Sequence, residues 1–444
     1  MDCSYSNLWK ITLPIFSFLL IENIITFTDT AFLGRINETQ LAAASIGGLY
    51  YVCIFIIGFG FSIGAQILIS HKNGENAFEK IGTIFLNSLY FLLIAAFIGF
   101  LLTFFFGEVI FAKMVDSESV LTEVLRYMRW RQFGLFAIFA VIAFRALYVG
   151  IADTKVMAYS SWLMGLVNLL LNYGLIFGQF GLPKMEIEGA ALASTLSEFS
   201  ALTLFIVYTL FKVDFKKYGI NFSKISLPQI REVLSLSSWT MAQQFIYVAM
   251  WMLLFAFIEK FGQHELAQSN IIKSVLMFVY MPMYAFGATM NTVAGNLIGE
   301  NREFEIPQIC KRIIFLQYAL IIPAIAILSI FPYEILSVYT DNPTILSGIR
   351  IPLYCALFTA LCSIPTITVC NLLLAFEKVR AVFTMELSSL FLYVAMLYFT
   401  VFVMESFSAT WTLDAWYWLV MITLYIFYIK RKLAHKLCVP ADKK

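Results

Sequence analysis

Charge is scarce in this chain. Only 13% of its 444 residues are charged, against roughly 25% in an ordinary globular domain, too few to solvate a large surface. That scarcity excludes a soluble multidomain protein and makes lipid the solvent for most of the chain. The formal net charge is only +2, and no basic run or basic aromatic groove is present, which argues against a nucleic-acid partner. The 7 cysteines are scattered without a CxxC pair, so neither a disulfide framework nor a metal centre is implied. Walker, Rossmann and metal-ligand spacings are missing. No cofactor is therefore expected, and ATP-driven work has no engine here.

One pattern looks enzymatic and is not. GFSIG at 60–64 matches the nucleophile elbow G-x-S-x-G, which functions only on a sharp strand-to-helix turn beside a histidine and an acid. Here it lies in an apolar helix, and His71, His264 and His435 all fall in loops or the tail. Gly60 and Gly64 read better as a small-xxx-small helix contact.

What the chain does contain is apolar length, with 61% hydrophobic residues. A spanning helix needs about 20 mostly apolar residues. Twelve stretches qualify, near 9–33, 43–69, 82–106, 130–150, 157–179, 189–211, 234–258, 269–294, 313–331, 351–376, 381–404 and 413–430. The first far exceeds the about 7–15 residues of a signal-peptide core, so it is expected to remain as a membrane helix. The fold class is an all-α integral membrane protein of twelve transmembrane helices.

Lysine and arginine are enriched in cytoplasmic loops, and alternate loops divide the 30 basic residues unevenly. One side collects Lys10, Lys72, Lys80, Lys155, the link around Lys212–Arg231, Arg302, Lys311, Arg312, Lys378, Arg380 and the tail. The other holds Arg35, Lys113, Arg126, Arg129, Arg131, Lys184, Lys260 and Arg350. Both termini and the link are expected in the cytoplasm of a bacterium, with the helices in its inner (plasma) membrane. Arg145 and Lys273 remain within or near membrane segments; Arg145 is expected to snorkel from a helix end.

The halves resemble each other at a shift of 225 residues. Gly74-Glu75-Asn76 falls on Gly299-Glu300-Asn301, Ala31-Phe32 on Ala256-Phe257, and 148–155 on 373–380. Each half has an even number of helices, so the repeat is parallel, a pseudo-twofold about the membrane normal. The expected organisation is an N-terminal lobe (1–211), a cytoplasmic linker (212–232), a C-terminal lobe (233–431) and a tail (432–444).

An ionised group at mid-bilayer costs about 2.5–3.5 kcal/mol, so each embedded acid needs a reason. Glu22 and Asp29 are two turns apart on one helix face, about 10 Å along the axis, with Thr26 between them. That stripe should face a cavity. Asn168 and Asn172 stand at i and i+4 on one face, where two carboxamides can ligate a cation or hold a carboxylate; interhelical hydrogen bonding is the rival reading. Their counterparts in the repeat are Tyr393 and Leu397, and those of Glu22 and Asp29 are Tyr247 and Leu254. The polar set belongs to the first half alone. Tyr247, Lys273, Glu386 and Glu198 are candidates for a substrate cavity, with Lys273 and Glu386 able to pair.

In TDTAFLGRINETQLAAASIG, GAQILISHKNGEN, FRALYVGIADTKVMAYSSWLMGLVNLLLNYGLIFG and GLPKMEIEGAALAST the chain resembles the multidrug and toxic compound extrusion (MATE) family of the MOP flippase superfamily. The resemblance implies two six-helix lobes around a central V-shaped cavity and export of organic cations or amphiphiles in exchange for H+ or Na+. It implies that Asp29 is the coupling carboxylate, with Asn168, Asn172 and a hydroxyl at Ser194 or Thr195 beside it, and Na+ could bind at Asp29, Asn168 and Asn172. Pro14 matches a proline where this helix bends in some members. Members with a second Asp at the position of Asn172, or acids near Tyr247 and Asn371, differ from this chain, and Glu22 is either its own supplementary acid or a structural hydrogen-bond partner. A lipid-linked precursor flippase is the alternative, which the excess of cavity acids disfavours. A monomer working on small molecules in the bilayer is expected.

Overall fold

The computed structural model describes residues 3–221, 225–337, 339 and 342–438. Lys224 of the link and residues 439–444 of the tail, with Lys443 and Lys444, lie outside the described residues. Among the described residues every regular element is helical. The long helices are α1 (Tyr5–Leu33), α2 (Glu38–Gly74), α3 (Phe78–Ala112), α4 (Glu118–Arg131), α5 (Gly134–Gly150), α6 (Lys155–Phe177) and α7 (Ile187–Lys212). There follow α8 (Leu227–Ile258), α9 (Gln263–Gly299), α10 (Ile306–Ile330), α11 (Arg350–Ala375), α12 (Val379–Phe402) and α13 (Leu413–Lys432). Among them 11 are long and apolar enough to cross a membrane, or 12 if α4 and α5, bent by 51°, form one span. The chain is an all-α membrane protein.

The repeat is visible in the backbone. The bounds of α2 and α9 differ by the same 225 residues at both ends, and both helices follow an N-cap at the matched positions Asn37 and Gly262. Left-handed residues recur in pairs at that spacing: Asn76 and Asn301 (φ 55° and 58°), Ala152 and Glu377 (61° and 59°), Phe180 and Glu405 (57° and 47°). A non-glycine residue in this region costs roughly 1–2 kcal/mol. Its recurrence at three matched turns shows that each half closes its helices by the same geometry.

The chain forms two compact units, Leu13–Met241 and Met1–Thr12 with Ala242–Lys444. Their boundaries fall inside α1 and α8, whereas the sequence division was drawn at the link 212–232. In the first unit α5 is the central helix, with every residue but Phe136 buried; its repeat counterpart α11 is the most enclosed span of the second unit. The first eight residues of α1, 5–12, pack within the second unit, where Thr12 shares a 2.8 Å hydroxyl contact with Thr289 on α9. α1 is a single helix through Pro14.

Within Leu13–Met241 the glycine pair on α2 makes a close helix contact. A Cβ on Gly60 would strike the Met241 backbone, and one on Gly64 the Ser237 side chain. At this approach the Thr240 hydroxyl donates to the Gly60 carbonyl at 2.7 Å and the Ser237 hydroxyl to the Phe61 carbonyl at 2.9 Å. Gly64→Leu should therefore cost about 1–3 kcal/mol by overpacking, read as a lower unfolding temperature of the purified protein.

Taken with α4 as one bent span, the fourth span begins at Glu118 instead of near residue 130. Charges hid it. Glu123, Arg126 and Arg131 make that stretch look like a loop, but Arg126 pairs with Glu123 at 2.9 Å and with Glu188 at 3.1 Å, and Arg131 is buried. In the other half α11 runs unbroken through the positions equivalent to the bend.

Candidate functional site

Three helices meet at Asp29. α1 presents the carboxylate, α6 presents Asn168 and Asn172 from successive turns, and α7 presents Ser194 one turn before Glu198. The Ser194 hydroxyl donates to Asp29 Oδ2 at 2.8 Å, while Asn168 Nδ2, at 3.3 Å, and Asn172 Nδ2 both donate to Oδ1. Asn168 Nδ2 also reaches Ser194 Oγ at 3.2 Å, and Asn172 Nδ2 reaches Asn168 Oδ1 at 3.0 Å, closing the net. The two asparagines are 1% and 0% exposed. Asn172 Oδ1 is buried without a hydrogen-bond partner among the described residues. A half-buried carboxylate surrounded by oxygen-bearing neutral groups is the donor chemistry of a hard monovalent cation or a proton.

The net lies on a cavity of about 550 Å³ within the first unit, lined among others by Glu22, Thr26, Asp29, Arg131, Ser194 and Glu198. The polar stripe of α1 thus faces a cavity, as its spacing requires. Thr26 and Thr30 turn their hydroxyls back to the carbonyls of Glu22 and Thr26, at 3.1 and 2.9 Å, and of the α1 residues on this cavity Glu22 and Asp29 carry the charge.

Thr195 is not brought to Asp29. Its hydroxyl donates to the Trp130 carbonyl at 3.2 Å, because adjacent helical residues point about 100° apart, and only Ser194 faces the acid. Glu198 lines the cavity but is neutralised: Arg131 donates to both its oxygens, at 2.5 and 2.9 Å, and the Tyr51 hydroxyl adds a third bond at 2.9 Å. The Arg131 guanidinium also lies 3.6 Å from the Tyr51 ring centroid. Gly134 opens the space, since a Cβ there would meet Arg131 and Glu198. Arg131, counted with the outer loops by charge alone, is therefore an interior residue.

Arg145 does not snorkel. It is 5% exposed, its guanidinium lies 4.9 Å from the Phe59 ring, and Nη1 has no hydrogen-bond partner among the described residues. Its electrostatic neighbour is Glu22, which makes no ion pair within 4 Å among the described residues. In the second unit Lys273 and Glu386 are not paired either. Lys273 stands over the Trp251 and Phe255 rings at 5.8 and 5.2 Å. Glu386 Oε1 instead accepts from Gln243 at 2.8 Å, Tyr247 at 2.9 Å and Tyr425 at 3.0 Å. Outside the spans, Glu186 ahead of α7 accepts from Gln40 at 2.8 Å and pairs with Lys184 at 3.0 Å, contacts that hold its carboxyl below the usual range.

The MatE family model matches residues 14–174 and 240–399. The chain belongs to the MatE family. The two matched stretches end 225 residues apart, the spacing of the structural repeat. A probable multidrug resistance protein NorM of Thermotoga maritima is 24% identical over 353 residues, covering 78% of this chain and 74% of that one. Another of that description, from Photorhabdus laumondii, is 23% identical over 387 residues, covering 83% and 82%. A solved structure described as the outward-facing conformation of a multidrug resistance MATE family transporter of the MOP superfamily superposes with a TM-score of 0.88 over 97% of this chain and 96% of that one, at 15% identity. It shares the fold. MatE membership makes this protein a multi-pass membrane transporter and bears out the resemblance carried by TDTAFLGR and its companions.

Sequence reasoning missed the Arg131–Glu198–Tyr51 cluster and the Gln243–Tyr425 cradle of Glu386. The partners are 67 and 147 residues apart in the first case, and no local spacing announces them.

Proposed function

We propose that this MatE transporter is a secondary multidrug antiporter that exports organic cations and other amphiphiles in exchange for H+ or Na+, by alternating access, with Asp29 as the coupling carboxylate. One observation carries the reading: Asp29 is held by Ser194, Asn168 and Asn172 on a cavity wall, with no basic side chain within ion-pair distance among the described residues. Its charge is free to be answered by an ion or a cationic substrate. Protonation or Na+ binding removes that charge, and the Asn172 amide oxygen supplies a further ligand for Na+ once the amide turns. The names of the NorM relatives support multidrug cargo. Both termini are assigned to the cytoplasm by the excess of basic residues on that side.

The test is transport in proteoliposomes with a proton gradient or a sodium gradient imposed separately. Export of an organic-cation dye driven by one gradient supports the antiporter; accumulation driven by neither would overturn it. The same assay separates the two adjacent hydroxyls. Ser194→Ala removes a hydrogen bond to a charged group, worth about 1.5–3 kcal/mol, and should shift the half-saturating ion concentration by roughly tenfold or more. Thr195→Ala should leave it unchanged.

A further inference from the structure

Away from the Asp29 cavity, the first unit carries a second hollow of about 350 Å³, a groove between α3 and α7 with α5 as its floor. Phe85 and Leu93 of α3, Phe136 and Phe144 of α5, and Ile206 and Leu210 of α7 are among its walls. Phe136, Ala140 and Phe144 stand one turn apart on α5, and the alanine between two rings deepens the trough. Phe136 is the single exposed residue of that helix, and Ile206 and Leu210 are 42% and 61% exposed, so the groove opens on the outside of the helix packing.

Its walls offer nothing to a polar ligand. Thr209 is the one polar side chain among them, and it spends its hydroxyl on the Phe205 carbonyl at 2.6 Å and on the Tyr148 hydroxyl at 2.7 Å. From Phe199 to Leu210 the groove follows eleven residues of α7, about 16 Å of rise, which is one leaflet of a hydrocarbon core about 30 Å thick. One end is closed by Phe215 and Ile220 of the link. The link is tied down there: Gly82 donates its amide to the Tyr218 carbonyl at 2.8 Å, and Asp214 accepts the Lys216 and Lys217 amides at 3.0 and 3.2 Å. This places Lys212, Lys216 and Lys217, all exposed, at the mouth of the groove, and none of them makes an ion pair within 4 Å among the described residues. Lys217 rests 4.4 Å from the Phe78 ring on α3. With Lys80 and Lys155, against Glu79, Asp153 and Asp214, the rim is positive.

We propose that this groove holds one anionic phospholipid, an acyl chain lying between α3 and α7 and the phosphate head at Lys212, Lys216 and Lys217. A hydrocarbon chain is the ligand that a one-leaflet apolar trough selects, and the basic rim selects the charge of its head. Lysines beside a membrane surface attract anionic lipid, each worth about fivefold in affinity. The rim lies on the side that the excess of basic residues assigns to the cytoplasm, where the leaflet carries anionic lipid. The far end of the groove reaches Phe199, which follows Glu198 of the Arg131 ion pair. A bound chain therefore braces α7 on the face opposite the one that aims Ser194 at Asp29.

Photo-crosslinking of the full chain in nanodiscs tests it, with a trace of phosphatidylglycerol or phosphatidylcholine carrying the same diazirine-labelled acyl chain. Phosphatidylglycerol should label peptides of α3, α5 and α7 about tenfold or more above phosphatidylcholine. The triple variant Lys212→Gln, Lys216→Gln, Lys217→Gln changes exposed side chains only and should bring that ratio close to unity. Ile206→Trp fills the trough and should lower labelling by both lipids severalfold at the parent's unfolding temperature; should it fail to fold, the triple variant still decides. A ratio kept by the triple variant, equal labelling of the wild type by the two lipids, or label found only on other helices overturns the assignment. So does a groove left unlabelled because a second copy of the chain covers it. None of these outcomes touches the antiporter reading, which rests on Asp29.

Discussion

Asp29→Asn should abolish concentrative export of ethidium from cells while leaving the transporter inserted at normal levels. The substitution keeps the side chain's shape and removes only its charge. Ser194 would still donate to the amide oxygen, and the carboxamides of Asn168 and Asn172 can turn to pair with the new one. The fold has no need of the acid, since the matched position in the second unit is Leu254, 2% exposed. What disappears is the capacity to load an ion on one side and release it on the other. One charge moving across 100 mV supplies about 2.3 kcal/mol, equivalent to a roughly 50-fold substrate gradient. The variant should lose that gradient and equilibrate the dye at best. Efflux equal to the parent's, at equal membrane abundance, would remove Asp29 from the coupling role.

The span count, the repeat and the polar face of α6 were legible because each is a local or periodic property. A twenty-residue apolar window, a fixed offset and an i, i+4 pair need no tertiary information. Asp29 and Asn172 are 143 residues apart, yet the family pattern joined them. The choice between Ser194 and Thr195 was not legible, since both sit in the same turn and only the orientation of α7 separates them. Arg131 was misplaced because charge in a stretch ordinarily marks a loop; its partner Glu198 lies three helices further along the chain.

Arg131→Met should be among the most destabilising single substitutions in the first unit. It leaves Glu198, 7% exposed, with Tyr51 as its one remaining hydrogen-bond donor. An uncompensated buried charge costs about 3–5 kcal/mol, a large share of the roughly 5–15 kcal/mol that holds a typical protein folded. The unfolding temperature in detergent should fall well below the parent's. Arg131→Met with Glu198→Leu should recover most of the loss, because apolar residues of similar volume replace a buried pair at little cost. Transport need not recover with it. Glu198 sits one turn beyond Ser194 on α7, so the ion pair fixes the helix that aims a hydroxyl at Asp29. If the double variant is as unstable as Arg131→Met alone, the pair is not what stabilises this region. If it folds like the parent but needs a higher ion concentration for half-maximal export, Arg131 and Glu198 act as positioning residues for the Asp29 site.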